Sequence, residues 1–250
     1  IWFFGGSTTF GYGVKNNETI TANIEKQLFN KYRIVNFGAG HYFSTQERIL
    51  FNNLLLELPP PYAVIFIDGI NDFQRENNFD ESIYSNSIKY KMNKSSSDDL
   101  KDYFKERFYR LNIVKLIIEF KSKKKINIIS KVIKEKEMSK LVNVLINNQK
   151  INQAVANKYN IKLINILQPF PIFDHSYSTS NVPKEFLENK NKSFLNVKLG
   201  YKIYLSKKLN LALNLSELKI KEPMFIDTRH YTPEFNQAIA SIIKEELHLN

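Results

Sequence analysis

Apolar positions in the first third of the chain follow two alternating patterns. IWFF at residues 1–4 and AVIFID at 63–68 are near-continuous apolar runs, and residues 33–37 form a shorter one; each is the pattern of a strand buried on both faces. Between them, residues 18–31 and 44–58 repeat apolar positions at helical spacing, as helices packed by one face do. Ser44 followed by Glu47 has the spacing of a capping box at the start of the second helix, and Pro59, Pro60 and Pro61 stop it. Strands alternating with helices predict an α/β protein with a parallel sheet and helices on both faces.

The pattern breaks at Gln74. From there to about residue 140 the sequence is polar, lysine-rich and helix-like, without evident sheet strands, and NKSSSDD at 93–99 reads as a loop. We read 74–140 as an insertion into a single domain spanning 1–250, leaving the sheet beside GIND at 69–72 and so capping or bordering any site there. A helix over 139–159 and a strand over 161–167 resume the alternation. QPFPIF follows at that strand's carboxyl end, where open α/β sheets place ligands. Residues 184–218 read as helical and loop-like, and Thr232 with Pro233 starts a last helix running to about Leu247.

A length of 250 residues with 43% hydrophobic and 24% charged positions suits one sizeable core. The absence of cysteine excludes a disulfide scaffold, a cysteine nucleophile and thiolate metal sites. No apolar run reaches the roughly 18 residues of a membrane-spanning helix. Because the chain opens inside a strand, we expect upstream residues, with room among them for a signal or membrane anchor and hence a cell-envelope location. The net charge of +11 is mostly lysine, concentrated at Lys121, Lys123, Lys124, Lys125, Lys131, Lys134, Lys136 and Lys140. A solvated face accounts for it first, and a basic patch turned toward a membrane surface or an anionic polymer second. Nucleic acid is not expected as a partner, since no recognition motif accompanies the lysines.

Four short motifs change the picture from fold to chemistry: GGSTTFG, NFGAGH, GIND and DTRH, in that order. Ser7 follows the first strand in a glycine-rich turn that leads into a helix, a placement that exposes a hydroxyl above the sheet edge and equally suits a helix cap. A phosphate loop is excluded there, because no lysine–serine/threonine pair follows the glycines. Asp227 and His230 lie three apart, close enough for the carboxylate to orient the imidazole, although such a pair alone is commonly a surface turn. His41 and His175 lack a carboxylate at that spacing, while Asp174 adjoins His175. Asn71 at a strand's carboxyl end can present its NH₂ to a substrate, and the turn at Gly40 and His41 can aim a backbone N–H into the same crevice. No HExxH or comparable cluster suggests a metal, and no cofactor is expected.

Together these motifs resemble the SGNH hydrolase superfamily, also called GDSL esterases. Ser7 matches its serine block, the Gly40/His41 turn its glycine block, Asn71 its asparagine block, and Asp227 with His230 its last block. The resemblance implies a flavodoxin-like three-layer α/β/α sandwich with a five-stranded parallel sheet, and metal-free acyl-ester hydrolysis through a Ser7–His230–Asp227 triad, with Asn71 and the N–H of Gly40 or His41 as oxyanion donors. It further implies a small acyl group, acetyl foremost, on a carbohydrate or glycopolymer. Transfer of acetyl to a sugar would use the same triad, and a silent polymer-binding module would keep the fold. Two positions depart from the family: Gly6 stands where it has aspartate, and His41 where its oxyanion glycine is expected.

Overall fold

Strands β1 (Trp2–Gly5) and β3 (Ala63–Asp68) are buried at every residue, which is why their sequences show no polar alternation. The computed structural model describes residues 1–29, 31–74, 135–171 and 192–249. With β2 (Val35–Asn36), β4 (Lys162–Leu167) and β5 (Leu213–Asn214) these strands form one sheet in the order β2-β1-β3-β4-β5. Every pairing is parallel, with Phe4 opposite Phe66, Phe66 opposite Asn165, and Leu167 opposite Asn214. This is the flavodoxin-like doubly wound order.

Helices cover both faces. On one, Phe3, Ile65, Ile67 and Ile166 pack against Ile20 and Ile24 of α2 (Ile20–Gln27) and Phe235, Ile239 and Ile243 of the last helix, Pro233–Leu247. On the other, Trp2, Phe4, Val64 and Phe66 meet Phe51 and Leu55 of α3 (Ser44–Glu57) and Ala156 of the helix Glu135–Lys158. Alternate residues of β1 and β3 therefore feed different layers, as the two-residue period of a strand requires. In chain order the remaining helices are α1 (Ser7–Phe10), α4 (Ile70–Phe73), α5 (Glu135–Lys158), α6 (Lys192–Ser206) and α7 (Pro233–Leu247). No described helix is long and apolar enough to cross a membrane.

Four sequence-based expectations are revised. The helix expected over 18–31 is a single 3₁₀ turn, Asn16–Glu18, followed by α2, with Thr19 capping α2 through the N–H of Ala22. The strand at 33–37 shrinks to two residues. The capping box at Ser44 and Glu47 does not form: Phe43 is the N-cap, and Ser44 lies inside the first turn with its hydroxyl on Asp72, while Glu47 is fully buried. The stretch 184–218 contains β5, too short to show a period of its own. Contacts divide the chain into Ile1–Asn77 with Val132–Asn250, and Asn78–Lys131. The second unit and most of the insertion expected at 74–140 lie outside the described residues, as do His175 and every lysine of the basic run except Lys136 and Lys140, which are exposed on α5.

Candidate active site

Ser7, the Gly40/His41 turn, Asn71 and Gln168 follow the carboxyl ends of β1, β2, β3 and β4 in turn. Gly6 N-caps α1, so Ser7 is its first residue and is half-buried; α1 closes at once, with Gly11 and Tyr12 donating their N–H groups to the Ser7 carbonyl. After β5 the chain makes a narrow excursion, in which Phe225 and Tyr231 form an antiparallel bridge and Ile226 N–H donates to the His230 carbonyl. Asp227 occupies its tip, and its Oδ1 accepts the backbone N–H groups of Arg229 and His230 at 2.8 Å each. That fixes the carboxylate in an Asx turn before the side chain of His230 is considered.

Asp227 Oδ2 then lies 2.6 Å from His230 Nδ1, and His230 Nε2 lies 2.9 Å from Ser7 Oγ. In the tautomer protonated at Nδ1 the imidazole donates to Asp227 and is free to accept the serine proton. The His230 side chain is only 12% exposed against 43% for Asp227, so the imidazole is shielded and the carboxylate partly wet. Burial pushes the Asp227 carboxyl up, yet hydrogen bonds from the His230 ring and from the backbone N–H groups of His230 and Arg229, with the His230 charge, together hold it below the usual carboxylate value.

Asn71 stands in α4, and its Nδ2 donates to the Tyr42 carbonyl at 2.7 Å, leaving the second amide hydrogen for another acceptor. Gly69 before it has a φ of 131°, and a side chain there would run into the Tyr201 hydroxyl. Gly40 and His41 form the exposed corner of a turn closed by Tyr42 N–H to the Ala39 carbonyl, with His41 at φ 63° in the left-handed region. Among the described residues neither of their N–H groups meets an acceptor. The structure thus joins Ser7, His230 and Asp227 in one hydrogen-bonded chain and leaves donors of Asn71, Gly40 and His41 available.

Several supporting residues escaped the sequence. Gln168, buried at the end of β4, donates its amide to Thr8 Oγ1 at 3.2 Å and to the Tyr231 hydroxyl at 3.1 Å, so it binds the neighbour of Ser7 to the neighbour of His230. Asn36 donates to the Thr9 carbonyl at 2.8 Å and accepts from Gly38 N–H at 2.9 Å, tying the glycine turn to α1. Arg229 reaches Gln74 Oε1 at 2.8 Å, linking the Asp227 turn to the end of α4. Beneath the site, Glu47, Asp68 and Asp72 are all buried. Burial first, and then the neighbouring carboxylates, push Glu47 and Asp68 well above their ordinary values. Ser44 Oγ donates to Asp72 at 2.6 Å, and Asn148 in turn donates to Ser44 Oγ at 2.9 Å. The only sequence signal was polarity in the wrong place: Asp68 closing an apolar strand, and Gln168 directly after another. Among the described residues no group of three or more His, Asp or Glu side chains is placed to hold a metal ion.

No protein-family model matches the sequence, and no curated protein does. Solved structures do. A lipolytic protein of the G-D-S-L family from Veillonella parvula is 9% identical, with 99% of this chain and 96% of that chain covered and a TM-score of 0.51. A carbohydrate acetylesterase family member from Sinorhizobium meliloti is 11% identical, with 98% of each chain covered and a TM-score of 0.50. The fold is that of the G-D-S-L hydrolases. On this G-D-S-L fold the first block reads Gly5-Gly6-Ser7, and Gly6 has a structural reason: a Cβ there would fall on the Asn71 amide nitrogen.

Proposed function

We propose that the chain is an SGNH-type serine esterase. The observation that carries this reading is the unbroken chain Ser7 Oγ, His230 Nε2, His230 Nδ1, Asp227 Oδ2 at 2.9 and 2.6 Å. As the Ser7 oxygen attacks an ester carbonyl, its proton passes to His230 Nε2, and Asp227 stabilises the imidazolium. The oxyanion takes hydrogen bonds from Asn71 Nδ2 and from the N–H of Gly40 or His41. The tetrahedral intermediate collapses as the leaving oxygen takes the proton from Nε2, giving an acyl-enzyme. Water then attacks that ester, passing its proton to His230, which returns it to Ser7.

The proposed substrate is a small acyl ester, acetyl foremost, on a carbohydrate. Support comes from the resemblance of the four motifs to the SGNH blocks, and from a bulky histidine standing at position 41, where glycine would leave more room for an acyl group. Purified protein tested on p-nitrophenyl acetate beside a Ser7→Ala control, with fluorophosphonate labelling mapped by peptide mass, decides the matter. Hydrolysis that survives in Ser7→Ala, or labelling elsewhere, would remove Ser7 from the reaction.

A further inference from the structure

In the proposed reaction the leaving oxygen takes its proton from His230 Nε2, so the alcohol half of the ester has to lie on the His230 side of Ser7. Whatever stands over His230 therefore contacts the alcohol and not the acyl group. Tyr12 stands there, its ring centroid 4.5 Å from that of His230 and its plane tilted by 40°. The ring is nevertheless 59% exposed. Its backbone is held at both ends: Tyr12 N–H donates to the Ser7 carbonyl at 3.0 Å, and Gly13 at φ 86° lies so close to the Ile226 side chain, beside Asp227, that no Cβ would fit. A large ring set against His230 thus leaves more than half its surface unused by packing within the protein.

We infer that Tyr12 forms the alcohol-side subsite and takes the flat C–H face of a pyranose, an inference that rests on the esterase reading of Ser7 and His230. Two features favour a ring over an alkyl chain. The open apolar side chains of this segment, Phe10 and Tyr12, are both aromatic. A tyrosine also joins an apolar face to a hydroxyl rim, matching a sugar's axial C–H face and equatorial hydroxyls. An aryl alcohol would offer a similar face, and the test separates the two.

The kinetics of wild type, Tyr12→Phe and Tyr12→Ala are compared on fully acetylated methyl β-glucopyranoside, phenyl acetate and ethyl acetate. Tyr12→Ala is expected to raise KM for the sugar ester about tenfold more than for ethyl acetate, while Tyr12→Phe keeps most of the sugar affinity. A loss confined to phenyl acetate overturns the pyranose assignment. An equal fall on all three esters, carried by kcat, overturns the subsite and makes Tyr12 a prop for His230. Should wild type hydrolyse none of the three, the esterase reading fails by itself. The subsite is then read by titrating methyl β-glucopyranoside into Ser7→Ala and into Ser7→Ala with Tyr12→Ala, followed by NMR. Binding lost with Tyr12 supports the subsite; absent or unchanged binding overturns it.

Discussion

The Asn71 amide nitrogen occupies the space that a side chain at Gly6 would need, held there by the Tyr42 carbonyl. The residue before Ser7 and the proposed oxyanion donor are thus fitted to each other, and each constrains what the other can be. Gly6→Ala is expected to displace the amide and lower kcat toward the level of Asn71→Ala, a loss of about 10² to 10³, with a smaller change in KM. Combining the two substitutions should cost little beyond either alone. Steady-state kinetics of the three variants check this, and full activity in Gly6→Ala would show that Asn71 is not used in the transition state.

Ser7→Ala and His230→Ala should each remove nearly all ester hydrolysis, on the order of 10⁴-fold or more, and the double variant should be scarcely worse, since the groups act as one unit. Multiplicative losses would mean that the 2.9 Å contact between them is not catalytic.

His41 sits at φ 63°, a conformation that costs a residue with a Cβ about 1 to 2 kcal/mol and glycine almost nothing. His41→Gly should therefore raise the midpoint of thermal unfolding or leave it unchanged. It should keep most of kcat if the backbone N–H is what donates, and accept longer acyl chains. A fall in kcat comparable to Asn71→Ala would assign the work to the imidazole instead.

Gln168→Leu removes one donor shared by Thr8 and Tyr231 and leaves both hydroxyls short of a partner in a buried setting. A stability loss of about 1 to 3 kcal/mol is expected. Gln149 is likewise buried, its Oε1 accepting from the Tyr204 hydroxyl at 2.7 Å, and a drop in kcat beyond that seen for Gln149→Leu would separate positioning of Ser7 and His230 from general destabilisation. Chemical denaturation and kinetics on both variants supply the comparison.

The Glu47 and Asp68 pair makes stability depend on pH with a definite sign. Their ordinary values are 4.5 and 3.8, and both are raised in the folded protein, so the fold keeps a proton that the unfolded chain releases. The contribution is complete below the ordinary values and is lost as pH rises through the raised ones. Unfolding free energy should fall by about 1.4 kcal/mol per pH unit for each proton so held, over a window opening near pH 5. Glu47→Gln keeps a donor toward Asp68 and should flatten that slope; an unaltered slope in urea titrations would place the retained proton elsewhere.

Legibility in the sequence followed the strength of local patterns. β1, β3, β4, α3 and α7 were readable because long apolar runs or a Thr-Pro start determine them locally. Two-residue β2 and β5 carry no period, and their existence depends on neighbours that only the assembled sheet supplies. The same division runs through the site. Ser7 and Asn71 announced themselves by residue type at strand ends and Asp227 with His230 by their spacing, whereas Gln168, Asn36 and Tyr12 are ordinary polar or aromatic positions until the fold brings them to Thr8, Thr9 and His230. Ser44 misled for the reverse reason: a good local cap was outbid by a buried aspartate far along the chain.

Ser7 and His230 are 223 residues apart, and the second belongs to an excursion after β5 that is closed by the Phe225–Tyr231 bridge and docked through Tyr231 on Gln168 and Arg229 on Gln74. Loop closure over such a span grows only logarithmically with length, so the separation is thermodynamically cheap, but it sets an order of events. The Ser7 turn can form with β1 and β3, while His230 arrives only when the excursion after β5 docks. A nascent or refolding chain is therefore expected to hold a largely built sheet while still inert toward esters. Regain of activity then serves as a clock for the last docking step, running behind signals that report helix or core formation.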